Sequence, residues 1–388
     1  MKKKLLFITS TDWYFVSHRL PIALEAINQG YEVHIATAIT DKYDILVAHG
    51  LIVHSLPLNR GSMNPLDELI TFCAIWKLFN KVRPDIVHLV TIKPVLYGGI
   101  AARFTAVKSI VAAVPGLGFV FVAKGIKAQI RRWIVAILYF MALRQKKIKV
   151  IFQNPDDKKT ILAITGLPES KTIMIRGSGV DLSQYVHKPL PDGVPIVVLA
   201  ARLLRDKGVR EFIEAAKILR NKGYEARFCL VGEPDLQNPS SVTQAELLAW
   251  QAEGNVEVWG YRADIPKVFA GAYMVVLPSY SEGLPKVLIE AAACGRAVIT
   301  TDVSGCRDAI EPNLTGILVQ VRNSLALADA IEKLLINKEL CQKMGNAGRN
   351  LAEREFDVKG VVTIHMNIYL SMAVYAQFTI NRHLIYSH

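Results

Sequence analysis

Glu282 and Glu290 stand eight residues apart in the run Ser279-Tyr280-Ser281-Glu282-Gly283-Leu284-Pro285-Lys286-Val287-Leu288-Ile289-Glu290-Ala291. Carboxylates accept hydrogen bonds from hydroxyl groups. The helical pattern after the Gly-Leu-Pro turn opens with backbone N–H groups that have no intrahelical partner and suit an anion. A second pair, Arg202 and Lys207, lies in Arg202-Leu203-Leu204-Arg205-Asp206-Lys207-Gly208. A guanidinium forks onto phosphate oxygens, and an ammonium acts on them as a point charge. The bland alternatives are a helix cap or a solvated charge for the acids and a framed helix start for the bases. Basic residues at a helix N-terminus oppose its dipole, which weakens the second alternative. Together the four residues fit a ligand with hydroxyls and a diphosphate, as a nucleotide sugar has.

Strand and helix signals alternate along the chain and place these residues. The apolar run Tyr273–Leu277 reads as a buried parallel strand, and Val287–Cys294 as a helix with Pro285 in its first turn. Glu282 therefore sits above the carboxyl end of a strand, where ligands bind in open α/β sheets. In the first half, strands are expected at Lys4–Thr9, Glu32–Ala36 and Asp85–Val90, and helices over His18–Gln29 and Pro94–Phe104. Val107–Ala113 and Val150–Phe152 are further short apolar runs. Three prolines in Val186–Pro195 mark a linker. The second half restarts with strands at Pro195–Ala201, Ala226–Val231, Val256–Trp259 and Ala297–Thr301. Helices are expected there over Val209–Asn221, Thr243–Ala252 and Ala263–Ala270, and the chain reads as helical after Leu325. The fold class is α/β, two Rossmann-like parallel-sheet domains. The expected domains are 1–180, 195–357, and a C-terminal segment 358–388 whose helix returns to the first.

At 388 residues the chain suits two cores. Its longest apolar run, Trp133–Leu143, falls short of the roughly 20 residues a transmembrane helix needs. The N-terminal Lys-Lys-Lys-Leu-Leu-Phe-Ile run lacks a cleavage site and reads as a strand. Five scattered cysteines without C-x-x-C spacing argue against a disulfide framework or zinc site and fit a reducing cytoplasm. Charge is lopsided: residues 1–190 carry 25 Lys+Arg against 12 Asp+Glu, whereas residues 191–388 carry 21 against 22. Between Ile86 and Pro155 no acid occurs, while eleven Lys and Arg do, including Lys124, Lys127, Arg131, Arg132, Arg144, Lys146, Lys147 and Lys149. No nucleic-acid module accompanies them. A basic helix whose apolar face contains Trp133, Tyr139 and Phe140 points to an anionic membrane surface, with an ordinary basic surface as the alternative.

The strand, the Glu-Gly-Leu-Pro turn and the second Glu resemble the E-x7-E signature of family 4 retaining glycosyltransferases of the GT-B fold, whose two domains face each other across a cleft. The resemblance implies that Glu282 contacts the donor sugar and Glu290 the ribose hydroxyls. It also implies that Gly283, Leu284, Pro285, Val287 and Leu288 line the nucleotide, and that Arg202 and Lys207 hold its diphosphate. Val258 and Tyr261 fall where the family holds the base; uracil is expected. No D-x-D occurs in the chain, so neither a metal nor another cofactor is expected.

The stretch Thr9–Pro21 lacks the paired glycines of many relatives. Tyr14 and His18-Arg19-x-Pro21 instead resemble the bacterial branch that builds saccharides on undecaprenyl diphosphate, including its α-1,3-N-acetylgalactosaminyltransferases. His18 is a catalytic candidate, and Lys93 and Tyr14 are acceptor-binding candidates. At Gly116-Leu117-Gly118 many relatives carry a histidine that this chain lacks. The expected activity is transfer of a hexosamine (GalNAc or GlcNAc) or hexose from a UDP-sugar to a polyprenyl-diphosphate-linked saccharide in surface polysaccharide assembly, at the inner face of the plasma membrane. Rival readings are a sugar-nucleotide epimerase of similar fold and a non-catalytic basic protein binding membrane or nucleic acid.

Overall fold

The computed structural model describes residues 2–59, 61, 64–117, 125–235 and 238–385. Gly118 and Lys124 lie outside them. The chain forms two compact units, Met1–Ser178 with Lys359–His388, and Gly179–Val358.

The first unit is built on a parallel sheet of β1 (Lys4–Thr11), β2 (Glu32–Ala38), β3 (Ile52–Ser55), β4 (Ile86–Val90), β5 (Ser109–Val114), β6 (Ile148–Phe152) and β7 (Thr172–Met174). Their order is β3-β2-β1-β4-β5-β6-β7. β4 and β5 are buried at every position, which is why their sequences read as unbroken apolar runs. Side chains alternate between the faces. Leu6, Ile8, Val87 and Leu89 join a core with Ile75, Leu96, Tyr139 and Leu143. Leu5, Phe7, Ile86 and Val90 pack with Ile22, Ala26 and the C-terminal helix residues Met366, Tyr369 and Met372. The helix Val358–Ile385 thus belongs to the first unit.

The second unit holds β8 (Ile196–Ala200), β9 (Arg227–Val231), β10 (Glu257–Gly260), β11 (Met274–Leu277), β12 (Ala297–Thr301) and β13 (Gly316–Val319). All neighbours are parallel, in the order β10-β9-β8-β11-β12-β13. In both sheets the strand order reverses beside the first strand, between β1 and β4 and between β8 and β11. Those reversals are the topological switch points where ligands bind in such sheets.

Several expectations shift. The helix expected over His18–Gln29 is two helices, Asp12–His18 and Leu20–Asn28, broken at Arg19, whose φ of −132° leaves the helical region. Pro285 caps the helix Lys286–Ala293 from outside and is not in its first turn. β3, β7 and β13 and the helices Pro65–Val82 and Pro155–Thr165 were not expected; the three strands are only three or four residues long and only partly buried. Tyr139 is fully buried and does not belong to an exposed face. The segment 186–195 is no loose linker. Leu190 is buried in the second core, and buried Arg296 donates to the Lys188 and Pro189 carbonyls at 2.8 and 3.1 Å. Among the described residues, no helix is long and apolar enough to cross a membrane.

Candidate active site

At the switch point of the second unit, the loop after β8 meets the loop after β11. Gly208, with φ of +73°, allows the approach: a Cβ there would lie 2.2 Å from the Pro278 carbonyl oxygen. The Asp206 carbonyl accepts from Tyr280 N–H at 2.8 Å and from the Ser279 hydroxyl at 3.1 Å. This stitching brings the Lys207 ammonium onto Glu282 Oε1 as an ion pair. Ser279 Oγ lies 2.8 Å from the same oxygen, so its one proton is shared between Glu282 and the Asp206 carbonyl. Lys207 and Glu282 are largely buried, with 18% and 12% of their side chains exposed. From the floor, Gly305 packs so closely that a Cβ would meet the Gly283 and Glu282 carbonyl oxygens at 2.3 and 2.5 Å. The neighbouring thiol of Cys306 is pushed up to about 12 by burial and by the Glu282 carboxylate, so it stays a neutral packing group.

Glu290 lies in the helix Lys286–Ala293 and is 8% exposed. Its Oε1 accepts from the Tyr185 hydroxyl at 2.6 Å and pairs with Lys286 Nζ at 3.0 Å. Burial and the adjacent carboxylate push the Tyr185 phenol far above its ordinary range, so it remains a donor. No side chain caps this helix start. Leu284 and Leu288 are core residues, and Val287 packs against the same cluster. The Leu288 N–H donates to the Pro285 carbonyl at 3.1 Å, so neither its side chain nor a lone amide faces a ligand.

Arg202 Nη1 donates to Asp235 at 2.6 Å. Val258 is paired through β10 to Leu230 and packs on the core. Tyr261 is 66% exposed just beyond that strand. Between them, Trp259 donates to Glu257 at 2.9 Å, with the Arg227 and Arg262 guanidinium groups each 5.9 Å from its ring.

The first unit has its own switch point. After β1, Asp12 is buried and binds the loop after β2, accepting from the Thr40 hydroxyl at 2.5 Å, Thr40 N–H at 2.7 Å and Lys42 N–H at 3.1 Å, and also from Trp13 N–H in its own helix at 2.8 Å. Burial works against its charge, but these hydrogen bonds win and hold the carboxyl below its ordinary range. Tyr14 and His18 stack with ring centroids 4.2 Å apart, and His18 Nδ1 lies 3.2 Å from the Tyr14 carbonyl. After β4, Thr91 takes φ of +77°, a costly conformation for a β-branched residue. Lys93 follows, donating to Glu68 Oε1 and to the Asn59 carbonyl, each at 2.6 Å.

The structure brings together Lys207 with Glu282, and Tyr14 with His18. It joins neither Arg202 nor Glu290 directly to the Lys207 pair. Ser279, Tyr185, Asp12 and Glu68 were missed in the sequence. Only Ser279, three residues before Glu282, offered a local signal.

Residues 185–351 match the family model described as Glycosyl transferases group 1, and residues 4–154 the Glycosyl transferase 4-like model. A relative in Campylobacter jejuni, the N,N'-diacetylbacillosaminyl-diphospho-undecaprenol alpha-1,3-N-acetylgalactosaminyltransferase, is 30% identical over 335 residues, covering 83% of this chain and 86% of its own. The UDP-Gal:alpha-D-GlcNAc-diphosphoundecaprenol alpha-1,3-galactosyltransferase of Escherichia coli is 24% identical over 82% of this chain and 84% of its own. Among solved structures, the sucrose-phosphate synthase of Thermosynechococcus elongatus superposes with a TM-score of 0.80 at 20% identity, covering 96% of this chain and 100% of the other.

Proposed function

The chain belongs to the group 1 glycosyltransferases and has the GT-B fold, and from that premise we propose which sugar transfer it performs and how. The donor is a UDP-sugar, carrying a hexosamine (GalNAc or GlcNAc) or a hexose. The acceptor is a saccharide on polyprenyl diphosphate, in assembly of a surface polysaccharide. Family membership favours a glycosyltransferase over the epimerase and binding-protein readings.

The observation that carries the reading is the Lys207–Glu282 pair at the β8/β11 switch point, with Glu290 one helix turn and more beyond it. Lys207 and Arg202 neutralise the diphosphate as the bond from anomeric carbon to phosphate oxygen breaks. Glu282 accepts from hydroxyls of the transferred sugar, and Glu290 from the ribose. Transfer proceeds with retention on one face: the departing phosphate oxygen takes the proton of the acceptor hydroxyl while the new glycosidic bond forms. The enzyme supplies position and charge, and needs no metal, because two cations and a helix start serve the diphosphate. In the first unit, Lys93 anchors the acceptor's diphosphate, while Tyr14 and His18 line the acceptor.

The protein works peripherally at the inner face of the plasma membrane. Supporting this, the helix Ile126–Leu143 exposes Ile126, Ile130, Trp133, Ile137 and Phe140 along one side, with exposed Lys127, Arg144 and Lys146 nearby. Each basic residue near an anionic leaflet adds about 1 kcal/mol.

The test is incubation with a panel of UDP-sugars and synthetic polyprenyl-diphosphate saccharides, with and without EDTA, followed by NMR of the product's anomeric linkage. An α-linked lipid-bound product formed equally with EDTA is expected. Inversion, or loss of turnover with EDTA, would overturn the mechanism; transfer only to free sugars would overturn the acceptor. Flotation with anionic liposomes should show association that high salt reverses, and its absence would remove the membrane claim.

A further inference from the structure

The protein's contacts to the Glu290 carboxylate fall on one oxygen, as one hydrogen bond and one ion pair. Oε1 receives the Tyr185 hydroxyl at 2.6 Å and the Lys286 ammonium at 3.0 Å, and Oε2 has no partner among the described residues. Oε1 is thus engaged by the protein, through the Tyr185 hydrogen bond and the Lys286 charge, and Oε2 is left for a ligand. Tyr185 is itself held against the helix that carries Glu290. The Arg349 guanidinium donates through Nη1 to the Tyr185 carbonyl at 2.8 Å and to the Ala293 carbonyl, at that helix's end, at 2.7 Å. The Tyr185 ring packs in the same core cluster as Leu288 and Ile289. Tyr185 thus reaches Glu290 from 105 residues earlier in the chain and is tied to its helix by a second, independent contact.

We propose that Tyr185, with Lys286, is a positioning residue that sets the enzyme's selectivity for ribonucleotide donors, by locking Glu290 so that Oε2 alone faces the 2′- and 3′-hydroxyls. This rests on the reading of Glu290 as the ribose-binding acid. A glutamate free at three side-chain torsions would have to be ordered by the ligand itself; one already locked accepts the two hydroxyls without that loss. Neither residue touches the nucleotide in this scheme, and both act through the carboxylate.

The experiment compares binding of UDP, 2′-deoxy-UDP and 3′-deoxy-UDP by isothermal titration, for the wild type, Tyr185→Phe and Lys286→Met. The wild type is expected to prefer UDP over either deoxy analogue by about ten- to hundredfold, the range for losing a hydrogen bond to a charged group. Tyr185→Phe should weaken UDP about tenfold and leave the deoxy analogues nearly unchanged, so that the preference shrinks to a few-fold. Lys286→Met should shrink it in the same direction by less, and keeps the test open should Tyr185→Phe fold poorly. A merely structural role would weaken all three ligands alike. Equal weakening, or an undiminished preference in both variants, overturns the proposal while leaving Glu290 as the ribose ligand. No preference in the wild type overturns that reading and the proposal together.

Discussion

The two sheets share one topology but fill their switch points differently. In the second unit the loops after β8 and β11 meet each other, and Lys207 pairs with Glu282 across that junction. In the first unit the lysine at the switch point, Lys93, follows β4, the counterpart of β11, and turns to Glu68 on the helix Pro65–Val82 and to the Asn59 carbonyl. The loop after β1 there folds into the helix Asp12–His18, anchored to the next loop by Asp12. One site is a compact lock between two adjacent loops; the other is assembled from scattered segments. A cation paired across two adjacent switch-point loops has its counter-charge fixed by the strand order. A cation paired with a distant helix depends on how that helix packs.

The sharpest way to break this contrast is to remove the acid of the compact site. Glu282→Ala should abolish turnover, a fall of about a thousandfold or more, while the Lys93 variants below remain active; near-full transfer by Glu282→Ala in a radiolabelled-sugar assay would sink the assignment. Next is the junction itself. Gly208→Ala forces a Cβ against the Pro278 carbonyl and a side chain at φ of +73°, so denaturant unfolding should show a loss of about 2–4 kcal/mol. An unchanged midpoint would mean the loops do not need that approach.

The first unit should be the acid-sensitive one. His88 and His365 are fully buried, with Arg19 close by and Tyr369 donating to or accepting from His88 Nδ1. Burial holds both imidazoles well below their ordinary range, His365 down to about 3, with His365 further opposing a charge on His88, Arg19 opposing one on both, and the Val361 carbonyl partly favouring one on His365. Tyr31 and Tyr369 face the same cluster and stay neutral, their phenols raised chiefly by burial. The folded state therefore binds fewer protons than the unfolded one between about pH 6.5 and 3. Stability is intact above pH 6.5 and falls on acidification, by about 2 kcal/mol at pH 5 from His365 alone. Measuring the unfolding midpoint against pH in His365→Leu should flatten this slope; an unaltered slope would place the titrating group elsewhere. Smallest is the acceptor lysine: Lys93→Ala should raise the KM for lipid-linked acceptor about tenfold and leave UDP affinity alone. Weakened UDP binding would instead overturn the assignment of Lys93 to the acceptor.

The donor signature was legible because its parts are local. Glu282 and Glu290 are separated by one loop and little more than one helical turn, and strand β11 shows itself as an apolar run. Arg202 and Lys207 frame a loop whose flanking elements, β8 and Val209–Asn221, also carry plain periodicity. The misreadings arose where periodicity is short or interrupted. β3, β7 and β13 have three or four residues each, too few to alternate convincingly, and the break at Arg19 is missed although Pro21, in the first turn of the second helix, marks it.

By itself, then, the sequence determined the class of site: two acids, two bases and the parallel strands that must hold them, because those features depend on neighbours within about ten residues. Only the tertiary structure decided the partners. That Lys207 meets Glu282, Tyr185 meets Glu290, and Lys93 meets Glu68 follows from strand order and close backbone approach, across separations of 75, 105 and 25 residues. No local pattern encodes such pairs, since each is fixed only when the sheets and helices pack and bring distant segments together.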